Sequence, residues 1–195
     1  NPEWFGNTEK FAVTNGELQL NDLSPGSTNT SQLYLSAPTS LEDSTTWEFY
    51  IRMEFAVSSG NYARIYLSAS SPDLSSALNG YYLLIGEGTV MSDSIVLFRQ
   101  DGNASLKILS GIKGGVGGDP AIARVRVTRS TLGEWALWTD YSGGNNLQLE
   151  ASALDATYSF GQYFGAVCNY TSTRADDFYF DDVLITPLYA DDEPP

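Results

Sequence analysis

Aromatic and guanidinium side chains recur at strand-like spacing in this sequence. Tyr62, Arg64 and Tyr66 occupy every second position, so they share one face of an extended strand. Sugar rings stack on aromatic rings, and a guanidinium donates two directed hydrogen bonds. Arg126 and Trp138 have outward positions on later strands, and we expect them beside the first three residues. We therefore predict a carbohydrate-binding face built from these five residues. The alternative is structural: arginines pair with carboxylates, and tyrosines are common on sheets.

Two adjacent carboxylates, Asp181 and Asp182, interrupt a strongly apolar run from Phe178 to Ile185. Desolvating a carboxylate among large apolar side chains is costly unless hydrogen bonds or a cation stabilise it. Calcium prefers several oxygen ligands, which adjacent carboxylates and loop carbonyls supply without histidine or thiolate. The doublet therefore predicts a structural Ca²⁺ site with Asp181 and Asp182 as ligands. Alternatively, both carboxylates accept hydrogen bonds from the backbone of a neighbouring loop.

Residues suited to catalysis are scarce. The sequence has no histidine and a single cysteine, Cys168, which excludes Ser-His-Asp and Cys-His catalysis. The Glu-x-Asp-x-x-Glu run of β-sandwich glycosidases does not occur, and Glu48 and Glu54 flank Arg52 as a mutually neutralising set. The glycine-rich segment 111–120 lacks the pattern of a phosphate-binding loop, so we predict a hairpin loop there. We expect no catalytic residues and no enzyme activity.

The elements that must position these residues are strands. From Thr46 to Phe55 every odd position is large and apolar, as in a strand with one buried face. Further predicted strands are Glu17–Leu20, Gln32–Ser36, Tyr62–Ser68, Tyr81–Gly86, Ser94–Gln100, Leu106–Leu109, Ile122–Arg129, Glu134–Asp140, Leu147–Ala151, Tyr163–Tyr170 and Phe178–Thr186.

Turn signals separate these strands. Asn15-Gly16 and Asp101-Gly102 favour hairpin turns. The segment 71–80 predicts one short helix, because Ser71 can cap it, Pro72 suits its first position and Gly80 suits its end. Parallel strands need crossover helices, which are missing. The predicted fold class is therefore all-β: an antiparallel two-sheet β-sandwich, or jelly roll, with at most one short helix.

Length and charge restrict the partners. The chain has 195 residues, enough for one domain, and 42% of them are hydrophobic. Ten basic and 24 acidic residues give a net charge of −14, which disfavours nucleic acids and anionic membrane surfaces. We expect a module over residues 1–187. Residues 188–195 are acidic and proline-rich, which indicates a linker to a following domain or, alternatively, a frayed C-terminus.

Several phrases of the sequence together resemble a known type of module. Among them are Trp4-Phe5-Gly6-Asn7, Thr46-Trp47-Glu48-Phe49-Tyr50, Asn61-Tyr62-Ala63-Arg64-Ile65-Tyr66-Leu67, Tyr163-Phe164-Gly165 and Phe180-Asp181-Asp182-Val183. They are similar to the concanavalin A-like, laminin-G-like jelly-roll modules found near the N-termini of large modular secreted or surface proteins of Bacteroidetes.

The resemblance implies a non-catalytic, lectin-like module that binds a glycan or polysaccharide. It also implies a secreted or cell-surface location and further domains in the same chain. Phe180-Asp181-Asp182-Val183 is similar to the last strand of related carbohydrate-binding jelly rolls, in which an aspartate holds a structural calcium. By that likeness Asp181 is the first candidate ligand and Asp182 the second. Two other functions stay open: a structural or adhesive spacer without a glycan ligand, and a divergent polysaccharide-active enzyme.

Overall fold

The computed structural model describes residues 3–40, 44–86 and 93–188, which form two seven-stranded antiparallel sheets. The front sheet contains, in spatial order, β1 (Phe5–Gly6), β4 (Thr28–Ser40), β13 (Phe160–Thr171), β6 (Tyr62–Ala69), β7 (Leu78–Ile85), β8 (Ile95–Gly102) and β9 (Ala104–Ser110). The back sheet contains β12 (Gln148–Leu154), β11 (Glu134–Asp140), β10 (Ala121–Arg129), β5 (Ser44–Met53), β14 (Phe178–Leu188), β3 (Glu17–Leu20) and β2 (Phe11–Thr14).

The core lies between the two sheets and follows from the alternation along their strands. Trp47, Phe49 and Ile51 point inward from β5 and are buried, while the intervening residues face outward. The ring of Trp47 stacks on that of Trp135 from β11, with 5.7 Å between the ring centroids. Ala63 and its alternate neighbours on β6 supply the facing surface from the front sheet. The predicted all-β, two-sheet sandwich is confirmed.

The helix predicted over residues 71–80 is wrong. The described residues contain only two short 3-10 helices, Thr8–Lys10 and Ser172–Arg174. In the segment 71–77, the Ser71 hydroxyl accepts from the Asp73 amide, and the Asp73 carboxylate accepts from the Ser75 amide. Such local bonds stabilise turns as readily as helix starts, and the strand β7 begins at Leu78. No helix in the described part of the chain has the length and apolar composition to cross a membrane.

Two loop predictions have different outcomes. Asn15 and Gly16 both have positive φ, 53° and 96°, and join β2 to β3 in a tight hairpin as expected. The glycine-rich segment 111–120 does not form a hairpin loop, because it carries the chain from β9 in the front sheet to β10 in the back sheet. Its Ile112 amide donates to the carboxylate of Glu150, and Val116 is buried in the core.

One side of β14 is largely unpaired. Its neighbour β3 pairs with it only at Tyr179 and Phe180, so from Asp181 to Leu188 no described strand pairs with this edge. A β-bulge lies between Asp181 and Leu184, with φ of 52° at Asp182. The sandwich is therefore open between this edge of the back sheet and β4 of the front sheet.

Candidate functional site

Strand β6 runs through the middle of the front sheet and displays two of the predicted site residues. Its inward residues join the core, whereas Tyr62 and Arg64 lie on the outer surface of the sheet, here called the front face. The register with β13 places Asn169 opposite Tyr62 and Val167 opposite Arg64. On the next strand, Gln32 of β4 lies opposite Val167. The front face thus combines a phenol ring, a guanidinium and two amides within a few strands of one another.

Aromatic rings extend this face in both directions. Across β7 and β8, the rings of Tyr82 and Phe98 stack with centroids 5.3 Å apart. Towards the opposite edge, Phe5 stacks on Tyr34 at 5.8 Å, and Tyr163 meets Tyr34 edge-on at 5.6 Å. The Phe5 residue is 41% exposed. Partly exposed rings on a sheet are platforms on which a flat ligand can stack.

Tyr66, the third predicted residue of β6, offers no surface to a ligand. It is fully buried in a second apolar cluster on the front face, beneath Leu74 from the segment 71–77. Its hydroxyl donates to the side-chain oxygen of Gln100 over 2.7 Å. Burial raises the pKa of Tyr66 to about 12, although the positive charge of Arg64 opposes this rise. The role of Tyr66 is therefore structural: it packs between the sheet and the segment 71–77.

The segment 71–77 forms a wall on the front face. Leu74 is fully buried and lies against Gly165 of β13, where an added Cβ would come within 2.6 Å of the leucine methyl carbon. Gln32 fixes the wall from the strand side: its amide nitrogen donates to Asp73 over 3.3 Å, and its amide oxygen accepts from Ser75 over 3.5 Å. Arg64, Tyr62 and Asn169 lie on the sheet beyond this wall.

Arg64 differs from most of the other arginines in having no carboxylate partner among the described residues. Its Nε atom is buried and has no hydrogen-bond partner, and the same holds for the side-chain oxygen of Asn169. The Asn169 amide nitrogen donates to Thr30 over 3.0 Å. Buried polar atoms without partners are uncommon in folded proteins and deserve an explanation. Here two of them lie on neighbouring strands of the same face.

Arg126 and Trp138 do not belong to this site. They lie directly opposite each other on β10 and β11, which are strands of the back sheet. Their side chains alternate with core residues and face away from the sandwich, on the side opposite to the front face. Arg126 donates to Glu48 over 2.8 Å and its side chain is 43% exposed. The expectation that these two residues neighbour Tyr62 and Arg64 is therefore wrong, because the strands belong to different sheets.

The acidic doublet lies at the β-bulge of β14 rather than inside a buried strand. The Asp182 side chain is 55% exposed, and Arg124 donates to its Oδ2 atom over 2.6 Å. The Asp181 carboxylate accepts from the Asp182 amide over 2.8 Å. Within the described residues no three His, Cys, Asp or Glu side chains come together as a metal site. A guanidinium in contact with one carboxylate does not fit a Ca²⁺ ligand set, so this doublet does not support the calcium prediction.

A cavity of about 550 Å³ opens between the sheets beside the bulge. Its walls are mainly hydrocarbon from both sheets, with Trp4 among them and with Asp181 and Asp182 among its few polar residues. A saccharide placed here would leave most of its hydroxyl groups without hydrogen-bond partners. The front face offers both rings and polar groups, so it is the better candidate for a polar ligand.

A polar cluster around Asp155 has a structural role that the sequence did not indicate. Asp155 accepts from Tyr81 over 2.6 Å and from Arg99 over 2.5 Å, and its backbone oxygen accepts from the Trp135 indole. Burial opposes ionisation of Asp155, but the hydrogen bonds from Tyr81, Thr157 and Arg99 outweigh it and lower the pKa. Burial also raises the pKa of Tyr81. These bonds join β8 of the front sheet to the chain that follows β12 of the back sheet.

Comparison with known proteins gives matches at the level of structure. No family model matches the sequence, and no curated protein matches it significantly. The carbohydrate recognition domain of Emp47p superposes with a TM-score of 0.70 at 14% identity, covering 94% of this chain and 88% of that domain. The lumenal domain of VIP36, bound to Ca²⁺ and Man3GlcNAc, gives 0.68 at 14%, covering 98% and 86%.

A bacterial structure has the same architecture. The carbohydrate-binding module CBM66 from Bacillus subtilis gives a TM-score of 0.62 at 19% identity, with 93% of this chain and 94% of that one covered. At these identities the likeness is one of fold: the chain is a two-sheet jelly-roll sandwich similar to legume-lectin-like carbohydrate recognition domains.

Proposed function

We propose that the chain is a non-catalytic carbohydrate-binding module that takes a glycan on its front face. The observation that carries the proposal is the group Tyr62, Arg64 and Asn169. It combines a partly exposed ring with two buried polar atoms that have no hydrogen-bond partner, the Nε atom of the guanidinium and the oxygen of the amide. Rings stack on the C–H face of a sugar, a guanidinium donates to a hydroxyl oxygen, and an amide oxygen accepts from a hydroxyl group. The shared fold with carbohydrate-binding domains supports this function.

The wider setting follows the same proposal. A glycan-binding module of this kind fits a secreted or cell-surface protein, with residues 1–187 as the module and 188–195 as a linker to another domain. Calcium binding by some domains with this fold, such as that of VIP36, supports testing Ca²⁺ as a structural ion here. We propose that glycan binding on the front face does not depend on the Asp181-Asp182 doublet, which lies on the opposite sheet.

A glycan array followed by calorimetry tests the proposal. Tyr62→Ala and Asn169→Ala are each expected to weaken binding of an array hit by about fivefold or more, corresponding to about 1 kcal/mol. Trp138→Ala is the matched control, since it removes a partly exposed aromatic ring from the back face. If all three variants bind the glycan with the affinity of the parent chain, the binding site does not lie on the front face. The absence of any glycan ligand would favour the spacer function instead.

A further inference from the structure

The charge of Arg64 has no counterpart in the described structure, whereas most arginines of this acidic protein do. Arg52, Arg99, Arg124, Arg126 and Arg174 each contact at least one carboxylate. Arg129 is buried and donates to backbone oxygens. With 24 acidic side chains available, pairing is the expected state of an arginine. Arg64 is held apart from them on a face made mostly of rings, aliphatic side chains and amides.

The immediate surroundings of Arg64 make the missing partner costly. Its cross-strand neighbours are Val167 on one side and Leu84 on the other, both without charge. The side chain of Arg64 has a hydrogen bond with the hydroxyl of Tyr66, a neutral group that is fully buried and that donates its own hydrogen bond to Gln100. A partly desolvated guanidinium without a carboxylate partner loses hydration that no opposite charge restores. An anionic group on a ligand would supply the absent partner.

From this we infer that the glycan bound on the front face is anionic, and that its carboxylate or sulfate group pairs with Arg64. The inference rests on the proposed carbohydrate function of the same site. A guanidinium matches a carboxylate with two parallel N–H···O bonds, which a single hydroxyl cannot reproduce. Lys107 of β9 lies opposite Phe98 and is exposed, so the far side of the face adds a second positive charge.

The net charge of −14 does not oppose this assignment at short range. Charges more than about 8 Å apart are largely screened at physiological ionic strength, whereas a contact pair at a partly buried position is screened much less. The carboxylate of the wall, that of Asp73, accepts hydrogen bonds from Gln32 and from the Ser75 amide. The acidic surface therefore slows the approach of a polyanion but leaves the contact with Arg64 favourable.

Matched ligands test the inference on the intact chain. Binding of an oligogalacturonate is compared with binding of its neutral methyl ester, and binding of a sulfated oligosaccharide with that of its desulfated form. The first pair tests a carboxylate as the anionic group, and the second tests a sulfate. In at least one pair, the anionic member is expected to bind about tenfold more tightly or better.

Variants test whether Arg64 causes the preference for the anionic ligands. Arg64→Gln is expected to abolish the preference for the anionic member, Arg64→Lys to retain part of it, and Arg126→Gln on the back face to leave it unchanged. Thermal melting of each variant controls for folding. If both members of each pair bind equally and Arg64→Gln has no effect, the inference is wrong. The proposed function then still stands where Tyr62→Ala weakens binding of a neutral glycan. If no glycan of either kind binds, both fail.

Discussion

Replacing Leu74 by alanine tests the architecture of the front face. Leu74 is fully buried between the wall segment 71–77 and the sheet, in the same cluster as Tyr66 and Val167. Buried leucine-to-alanine substitutions cost about 2–5 kcal/mol. The wall is a surface segment that can settle into the space, so we expect the lower end, about 2–3 kcal/mol. For a domain of this size each kcal/mol lowers Tm by about 2–4 °C, which gives a decrease of about 4–12 °C.

Urea unfolding monitored by tryptophan fluorescence measures this loss of stability. Leu132→Ala is the control, because Leu132 is highly exposed and its truncation should change the free energy of unfolding by less than about 0.5 kcal/mol. The same variant reports on Tyr66, whose pKa is raised to about 12 by burial. Opening the wall should lower this pKa towards the ordinary value of about 10. If Leu74→Ala is as stable as the control and the Tyr66 pKa does not change, the wall is not packed on the sheet as described.

Three further predictions concern the metal, the polar cluster and catalysis. The Asp181-Asp182 doublet should not bind Ca²⁺, because Asp182 is paired with Arg124. For the parent chain and for Asp182→Asn alike, the Tm in excess Ca²⁺ should therefore equal the Tm in EDTA. A rise in Tm with Ca²⁺ that the substitution removes would contradict the assignment. Because the pKa of Asp155 is lowered in the folded state, its stabilising effect is complete above about pH 4 and is lost as pH falls through the folded-state pKa. The free energy of unfolding of Asp155→Asn should therefore depend less steeply on pH in the acid range. Identical pH profiles for the variant and the parent chain would refute the role of the cluster. The purified chain should not depolymerise polysaccharides in a reducing-end assay; activity removed by one point substitution would show an enzyme.

Local patterns in the sequence predict the strands well because alternation is a local property. The predicted bounds of β3 and β11 agree with the structure, and the predicted segments from Thr46 and Tyr62 overlap β5 and β6. The sequence does not predict β1, which has only two residues, or β2, whose Phe11-Ala12-Val13-Thr14 does not alternate between apolar and polar residues. The segment from Ser71 was predicted as a helix because serine, proline and aspartate are typical of both helix starts and turns.

The site could be predicted only in part, because alternation assigns a residue to a face of its own strand but not to a sheet. Tyr62 and Arg64 do lie on an outer face, yet Arg126 and Trp138 lie on the outer face of the other sheet. That division depends on strand pairing between distant segments. Tyr66 is buried because the connection between β6 and β7 folds back over it, whereas the sequence predicts a helix for that connection. Asn169 joins Tyr62 through the pairing of β13 with β6, a contact between residues more than a hundred positions apart.

The unpaired edge of β14 has a consequence for how copies of this protein behave at high concentration. Unpaired backbone amides and carbonyls on a strand edge can template another strand, and Leu184 adds an exposed apolar side chain, 51% accessible, to this edge. Two features restrict such growth: the bulge at Asp182 bends the strand, and Pro187 has no amide hydrogen to donate. Only the short stretch between them can accept a foreign strand. At this edge, resistance to aggregation therefore depends on two positions of one strand, and a β-branched residue in place of Pro187 would lengthen the template that the native sequence keeps short.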